Sequence, residues 1–248
     1  DMTIQQMLMS TGIASQTYWT NTITNGTSSD VTIYGHAFDS EGNFYVCGRS
    51  VISGGMTDGF VYKLSKSGTL SKSVHLDDPN KGITFSAIAI DSSDNVYVAG
   101  QDNDGTGTKA FVAKYNSSGT IQWQRRLGTP CDGGTYAIAV DDDGNSYSCG
   151  KVATGQHGWI AKLDASGSTS WCRTFKTSVT ADEEELQQIR LDSGGNLVIC
   201  GHHRDDSESS DIALLMRLPS DGSFTGTYGI FTFTAASPTN AAANMTTS

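Results

Sequence analysis

Asp91-Ser92-Ser93-Asp94-Asn95-Val96-Tyr97-Val98-Ala99-Gly100 is the stretch on which the fold turns. Its opening Asp can cap a tight turn, and Asn or Gly at the end of such a turn tolerates positive φ. The residues that follow place alternate side chains on opposite faces of a strand. Upstream, Ala87-Ile88-Ala89-Ile90 reads as a strand ending at the turn. Downstream, Ala110-Phe111-Val112-Ala113-Lys114 reads as a third strand, and after a Ser118-Gly119 turn Ile121-Gln122-Trp123-Gln124 opens a fourth.

This unit occurs four times. Asp39, Asp91, Asp141 and Asp192 are 52, 50 and 51 residues apart, and Gly48, Gly100, Gly150 and Gly201 keep the same steps. Lys63, Lys114, Lys162 and Arg217 form a third ladder, and Gly68, Gly119, Gly167 and Gly222 a fourth. Four short antiparallel strands per repeat of this length predict an all-β protein, a β-propeller of four recognisable four-stranded antiparallel blades. The expected blades span about 31–76, 84–127, 134–175 and 186–231, the last with an outer strand at 224–231. The four prolines, Pro79, Pro130, Pro219 and Pro238, are expected outside strands or at turns. Residues 1–30 add one more outer strand around Trp19, which resembles the segments containing Trp123 and Trp171. That strand is surplus to a simple closed ring, so either one end displaces the other, or it pairs with another chain, or further sequence completes the ring. Residues 234–248, rich in Ala, Thr and Asn, are expected to be a tail, a linker or a strand awaiting a partner.

Composition fits this class. The 248 residues include 58 Ser and Thr, 28 Gly and only 4 Pro, and 37% are hydrophobic. The net charge of −10, with no Lys/Arg stripe, argues against nucleic acid as a partner. No apolar run is long enough to insert into a membrane as a helix.

The chemistry-bearing residues have structural explanations. Cys47, Cys149 and Cys200 precede the strand-two glycine, where repeat 2 has Ala99, and read as small buried packing positions. A disulfide is open only to Cys131 or Cys172 with a neighbour, and the odd count of five cysteines argues for free thiols. The repeated aspartates are turn caps rather than calcium ligands, because a strand follows where a calcium loop needs more oxygens. His202, His203 and Asp205 are the only dense metal-capable group, but adjacent strand residues point apart and no metal is expected. Residues 182–185, Asp-Glu-Glu-Glu, read as a solvated acidic loop. Arg49, Gln101, Lys151 and His202 each follow the strand-two glycine, so a ring would gather them near one face as candidate ligand contacts. The inner strands are expected to line a channel with Ala37, Ala87, Ala89, Ala137 and Ala139. No nucleophile, base or cofactor fingerprint stands out, so neither catalytic residues nor a cofactor are expected.

The pattern Asp91 to Gly100, followed by Ala113-Lys114-Tyr115-Asn116-Ser117-Ser118-Gly119, resembles the bacterial β-propeller repeat of the DSSGNVYVAG type over about residues 31–231. Outer strands such as Ile121-Gln122-Trp123-Gln124-Arg125-Arg126-Leu127 are also similar to those of tailed-phage virion proteins. The repeat motif says little about activity. The absence of a catalytic constellation leads to the expectation of a non-enzymatic structural or adhesive module, and the likeness to virion proteins implies a setting in a virion or outside the cell. Such a module would be a tail fibre, spike or surface decoration. Its partners would be other structural subunits, itself included, and cell-surface glycans. The alternative is a free-standing extracellular propeller that binds carbohydrate or peptide; a propeller lyase or lactonase is a third.

Overall fold

The computed structural model describes residues 3–9, 18–24, 30–51, 57–77, 82–103, 105, 107–152, 157–177, 183–205, 210–243 and 245–247, and all of their regular structure is antiparallel β-strand. An N-terminal hairpin pairs β1 (Thr3–Met9) with β2 (Tyr18–Thr24). Repeat 1 supplies β3 (Val31–Phe38), β4 (Phe44–Val51), β5 (Thr57–Leu64) and β6 (Leu70–Asp77). Repeat 2 supplies β7 (Gly82–Ile90), β8 (Val96–Asn103), β9 (Thr108–Tyr115) and the first part of β10 (Ile121–Val140). The rest of β10 begins repeat 3, followed by β11 (Ser146–Val152), β12 (Gly158–Leu163) and β13 (Thr169–Thr177). Repeat 4 has β14 (Glu183–Leu191), β15 (Leu197–Asp205) and β16 (Ser210–Leu218). β17 (Gly226–Tyr228), β18 (Phe231–Ala236), β19 (Asn240–Ala242) and β20 (Thr246–Thr247) end the chain.

Local chemistry sets the turns. The Asp39 carboxylate accepts the backbone N–H of Asn43 at 2.7 Å, and Asp91, Asp141 and Asp192 do the same for Asn95, Asn145 and Asn196. The residue before each Asn has positive φ: Gly42, Asp94, Gly144 and Gly195. Opposite each strand-two glycine the first strand bulges by one residue, at Tyr34, Ser86, Tyr136 and Gln187. The glycine is required there because a Cβ on Gly48, Gly100 or Gly150 would lie 1.9 Å from the backbone oxygen of Thr32, Thr84 or Gly134.

The sheets stack in series. β7 packs against β3, β10 against β7, and β14 against β10. Each sheet turns one face, here called leading, toward the preceding repeat and one face, here called trailing, toward the following repeat. Tyr45, Cys47 and Val61 on the trailing face of repeat 1 bury against Val96, Val98, Phe111, Ala113 and Tyr115 on the leading face of repeat 2. Tyr97, Ala99 and Val112 meet Trp159, Ala161 and Leu163. Tyr147, Cys149 and Ile160 meet Leu197, Ile199 and Leu214. No sheet closes on itself among the described residues.

Several expectations need correcting. Among the described residues the fourth unit has three strands, not four: β17 pairs with β18, and β18 pairs with β13 of repeat 3. Aromatic packing draws it there, since Phe233 stacks on Phe175 at 5.4 Å and Phe224 meets Trp171 edge-on at 5.6 Å. The C-terminal residues then run back along the fourth strands, with β19 on β10 and β20 on β6, and bury Ala243 and Met245. Pro130 lies inside β10, where the pairing with β9 breaks register between Leu127 and Asp132 and asks no N–H of it. Pro79 lies outside the described residues.

Candidate functional site

The turn aspartates are satisfied from within their own repeats. Lys63 Nζ lies 2.9 Å from Asp39 Oδ2, Arg217 bonds Asp192, and the Tyr97 and Tyr147 hydroxyls donate to Asp91 and Asp141. Burial opposes the charge of Asp39, but hydrogen bonds from Asn43 and Lys63 win and bring its pKa down to about 2. Lys63, Lys114 and Lys162 also sit over the rings of Tyr45, Tyr97 and Tyr147. These carboxylates are therefore committed to holding the turn to the third strand.

The four first strands jointly line one polar cavity of about 170 Å3. Its lining includes Tyr34, His36, Ser86, Tyr136, Gln188 and Arg190. Ala87 and Ala137 line it, but Ala37, Ala89 and Ala139 do not; they pack into the apolar clusters between repeats. The volume is below the roughly 300–1,000 Å3 of drug-sized ligand pockets.

Arg49, Gln101, Lys151 and His202 hold equivalent places, opposite Thr32, Thr84, Gly134 and Glu185, yet none lines this cavity. Lys151 bonds Glu183 at 2.8 Å, and His202 Nδ1 is 3.4 Å from Gln187. The run at 182–185 is no solvated loop over its described part. Glu183 to Glu185 belong to β14, and Glu184 is fully buried, accepting the Thr177 N–H at 3.1 Å with His203 at 3.5 Å. The signal for this was the apolar Leu186 and Ile189 beyond it, whose strand extends back through the acids. His203 is buried against Glu184 and Phe231, whereas His202 is partly exposed. The Asp205 side chain lies outside the described residues, and among those described no three His, Cys, Asp or Glu side chains could share a metal.

Cys131 pairs with Cys172 across β10 and β13, leaving Cys47, Cys149 and Cys200 as free thiols. Cys47 and Cys149 are buried, and burial pushes the Cys47 thiol up to about 12. Cys200 breaks the pattern and is exposed. Its strand neighbour Leu215 is 76% exposed, although the equivalent Val61, Val112 and Ile160 are buried. The reason is simple: among the described residues no sheet follows repeat 4. The trailing face of repeat 4 and the outer edge of β16 are thus bare. Beside them an apolar groove of about 460 Å3 runs between Leu214–Leu218 and the aromatic side chains Phe224, Tyr228 and Phe231.

The tryptophans bridge repeats. Trp123 Nε1 donates to Ala165 O at 2.9 Å and Trp171 Nε1 to Ser220 O at 3.1 Å, each crossing from a fourth strand to the next repeat's turn. Trp19 Nε1 does the same to Lys66 O at 3.0 Å. Trp159, on a third strand, is fully buried.

No protein-family model and no curated protein sequence matches the chain.

Proposed function

We propose that the chain is a non-enzymatic structural module, an open β-propeller whose work is to join other subunits through its end faces. The serial packing of the four repeats, the second and third joined through the long strand β10, and the cavity shared by their first strands support the propeller arrangement. The observation that carries the functional reading is the bare trailing face of repeat 4, where Leu215 and Cys200 stand exposed at positions that other repeats bury. Exposed apolar surface of this kind marks an interaction site. The turn carboxylates, Lys63 and Arg217 are engaged within the turns, and Glu184 and His203 with each other. The resemblance to phage virion propellers suggests the setting: a tail fibre, spike or surface decoration.

A second reading, a free-standing propeller that binds a carbohydrate, draws on the donor-rich cavity with Arg190, His36, Tyr34 and Tyr136. Light scattering after size exclusion, run beside a glycan array, separates the two. The scaffold reading expects association that Leu215→Glu weakens and no glycan binding. A persistent monomer with saturable glycan binding, unchanged by Leu215→Glu, contradicts it.

A further inference from the structure

We propose that the partner at the bare face of repeat 4 is a second copy of this chain, whose N-terminal hairpin completes the repeat 4 sheet. The inference rests on the scaffold reading and names its partner.

Strand number is the first argument. The sheet of repeat 1 has five strands in the order β20-β6-β5-β4-β3. Repeat 2 likewise carries one strand outside its fourth, β19 on β10, and repeat 3 carries two, β18 on β13 and β17 on β18. Among the described residues repeat 4 stops at three, β14-β15-β16, while β1 and β2 form a sheet of two. The hairpin holds the number of strands that repeat 4 lacks, with β2 in the fourth place and β1 in the fifth.

The tryptophan contacts supply the second. Arg125 reaches Gly167 O two residues beyond Trp123, and Arg173 reaches Gly222 O two residues beyond Trp171. Two residues beyond Trp19, Asn21 Nδ2 donates to Gly68 O at 2.8 Å. Lys66 and Gly68 hold the same turn positions as Ala165 and Gly167. β2 therefore docks on repeat 1 as the fourth strand of a unit preceding it.

Face chemistry is the third. Val46, Phe60, Tyr62 and Leu64 form the leading face of repeat 1, with Trp19 and Ile23 packed on them. They are the counterparts of Val98, Phe111, Ala113 and Tyr115, which bury Cys47 and Val61. Repeat 4 offers Cys200 and Leu215 in the places of Cys47 and Val61. Within one chain β2 does not pair with β16, and β14 does not pack on β3 as β7 does. In a single chain Val46, Phe60, Tyr62 and Leu64 are already buried, with Trp19 and Ile23 packed on them, so the hairpin itself is what one copy offers to the Cys200 and Leu215 face of another. Each chain has one donor end and one acceptor end, so contacts run head to tail and close as a ring or continue as a filament.

The test uses two variants and their mixture, followed by light scattering over a wide concentration range. Leu215→Glu spoils the acceptor on an exposed side chain, and removal of residues 1–24 takes away the donor. Trp19→Ala serves as the milder donor variant should the truncated chain fold poorly. Wild type is expected to form oligomers in steps of one chain, each variant alone to stay monomeric, and the equimolar mixture to form one-to-one dimers and nothing larger. A wild type that is monomeric throughout, or a mixture that stays monomeric, overturns the proposal. If wild type associates but the mixture does not, the second-copy hairpin is wrong and the scaffold reading survives. If nothing associates and the monomer binds glycans, both fall.

Discussion

Gly100 leaves no room for a side chain, since a Cβ there would meet Thr84 O at 1.9 Å and Phe85 Cα at 2.9 Å. The carbonyl is thrown at the glycine by the bulge at Ser86, so glycine and bulge form one device repeated four times. Gly100→Ala is expected to cost roughly 1–3 kcal/mol or more, as overpacking against backbone does, measured by urea unfolding. An unchanged midpoint would mean that the bulge relaxes freely. The turn carboxylates make a second residue-scale prediction. Asp39 titrates at about 2 rather than 3.8, so its contribution is complete above about pH 4 and is lost as pH falls toward 2. Asp141 and Asp164 are lowered too, the first by Asn145 and Tyr147 against its burial, the second chiefly by Ser166. The melting temperature should therefore be flat from neutrality to about pH 4 and fall below it, less steeply in Asp39→Asn. Stabilisation on acidification through that window would contradict the assignment. These turns were legible in the sequence because an Asp, an Asn four residues later and a Gly, or Asp94 in repeat 2, just before that Asn are local chemistry. The side chains lining the shared cavity were not, because packing between repeats takes Ala37, Ala89 and Ala139 away from it.

At the scale of elements, the C-terminal strands show where sequence reading reached its limit. The segment 224–231 has the alternation of a strand and was expected on β16, its neighbour in sequence. Its aromatic residues instead find Phe175 and Trp171 on repeat 3, a choice set by packing partners distant in sequence. The Ala/Thr/Asn residues beyond Thr234 look like a linker in composition, yet they lie along the outer strands. Gln124 Nε2 donates to Met245 O at 3.1 Å, and the Met245 side chain packs into the cluster between repeats 1 and 2. Met245→Ala should therefore cost about 2–4 kcal/mol in thermal or urea unfolding, a core-like penalty that a free tail would not show. A loss below about 0.5 kcal/mol would mean that the segment is not part of the core.

For the whole molecule, the same side chain position has opposite consequences in different repeats. Ile160 and Leu215 occupy equivalent places, but Ile160 is covered by repeat 4 and Leu215 by nothing among the described residues. In dilute protein Ile160→Glu should cost on the order of 3 kcal/mol or more, because it buries a charge without a partner. Leu215→Glu should stay within about 0.5 kcal/mol of wild type. Equal losses at the two positions would mean that repeat 4 is covered after all. The repeats themselves were plain in the sequence, since four ladders keep their spacing. How the end sheets finish was not, because closure depends on faces more than 100 residues apart and leaves no local signature. Cys47, Cys149 and Cys200 report on that question directly. Alkylation of the dilute native chain, read by mass spectrometry, should modify Cys200 readily and leave Cys47 and Cys149 untouched until denaturant is added. Protection of Cys200 equal to that of the other two would contradict an open end face.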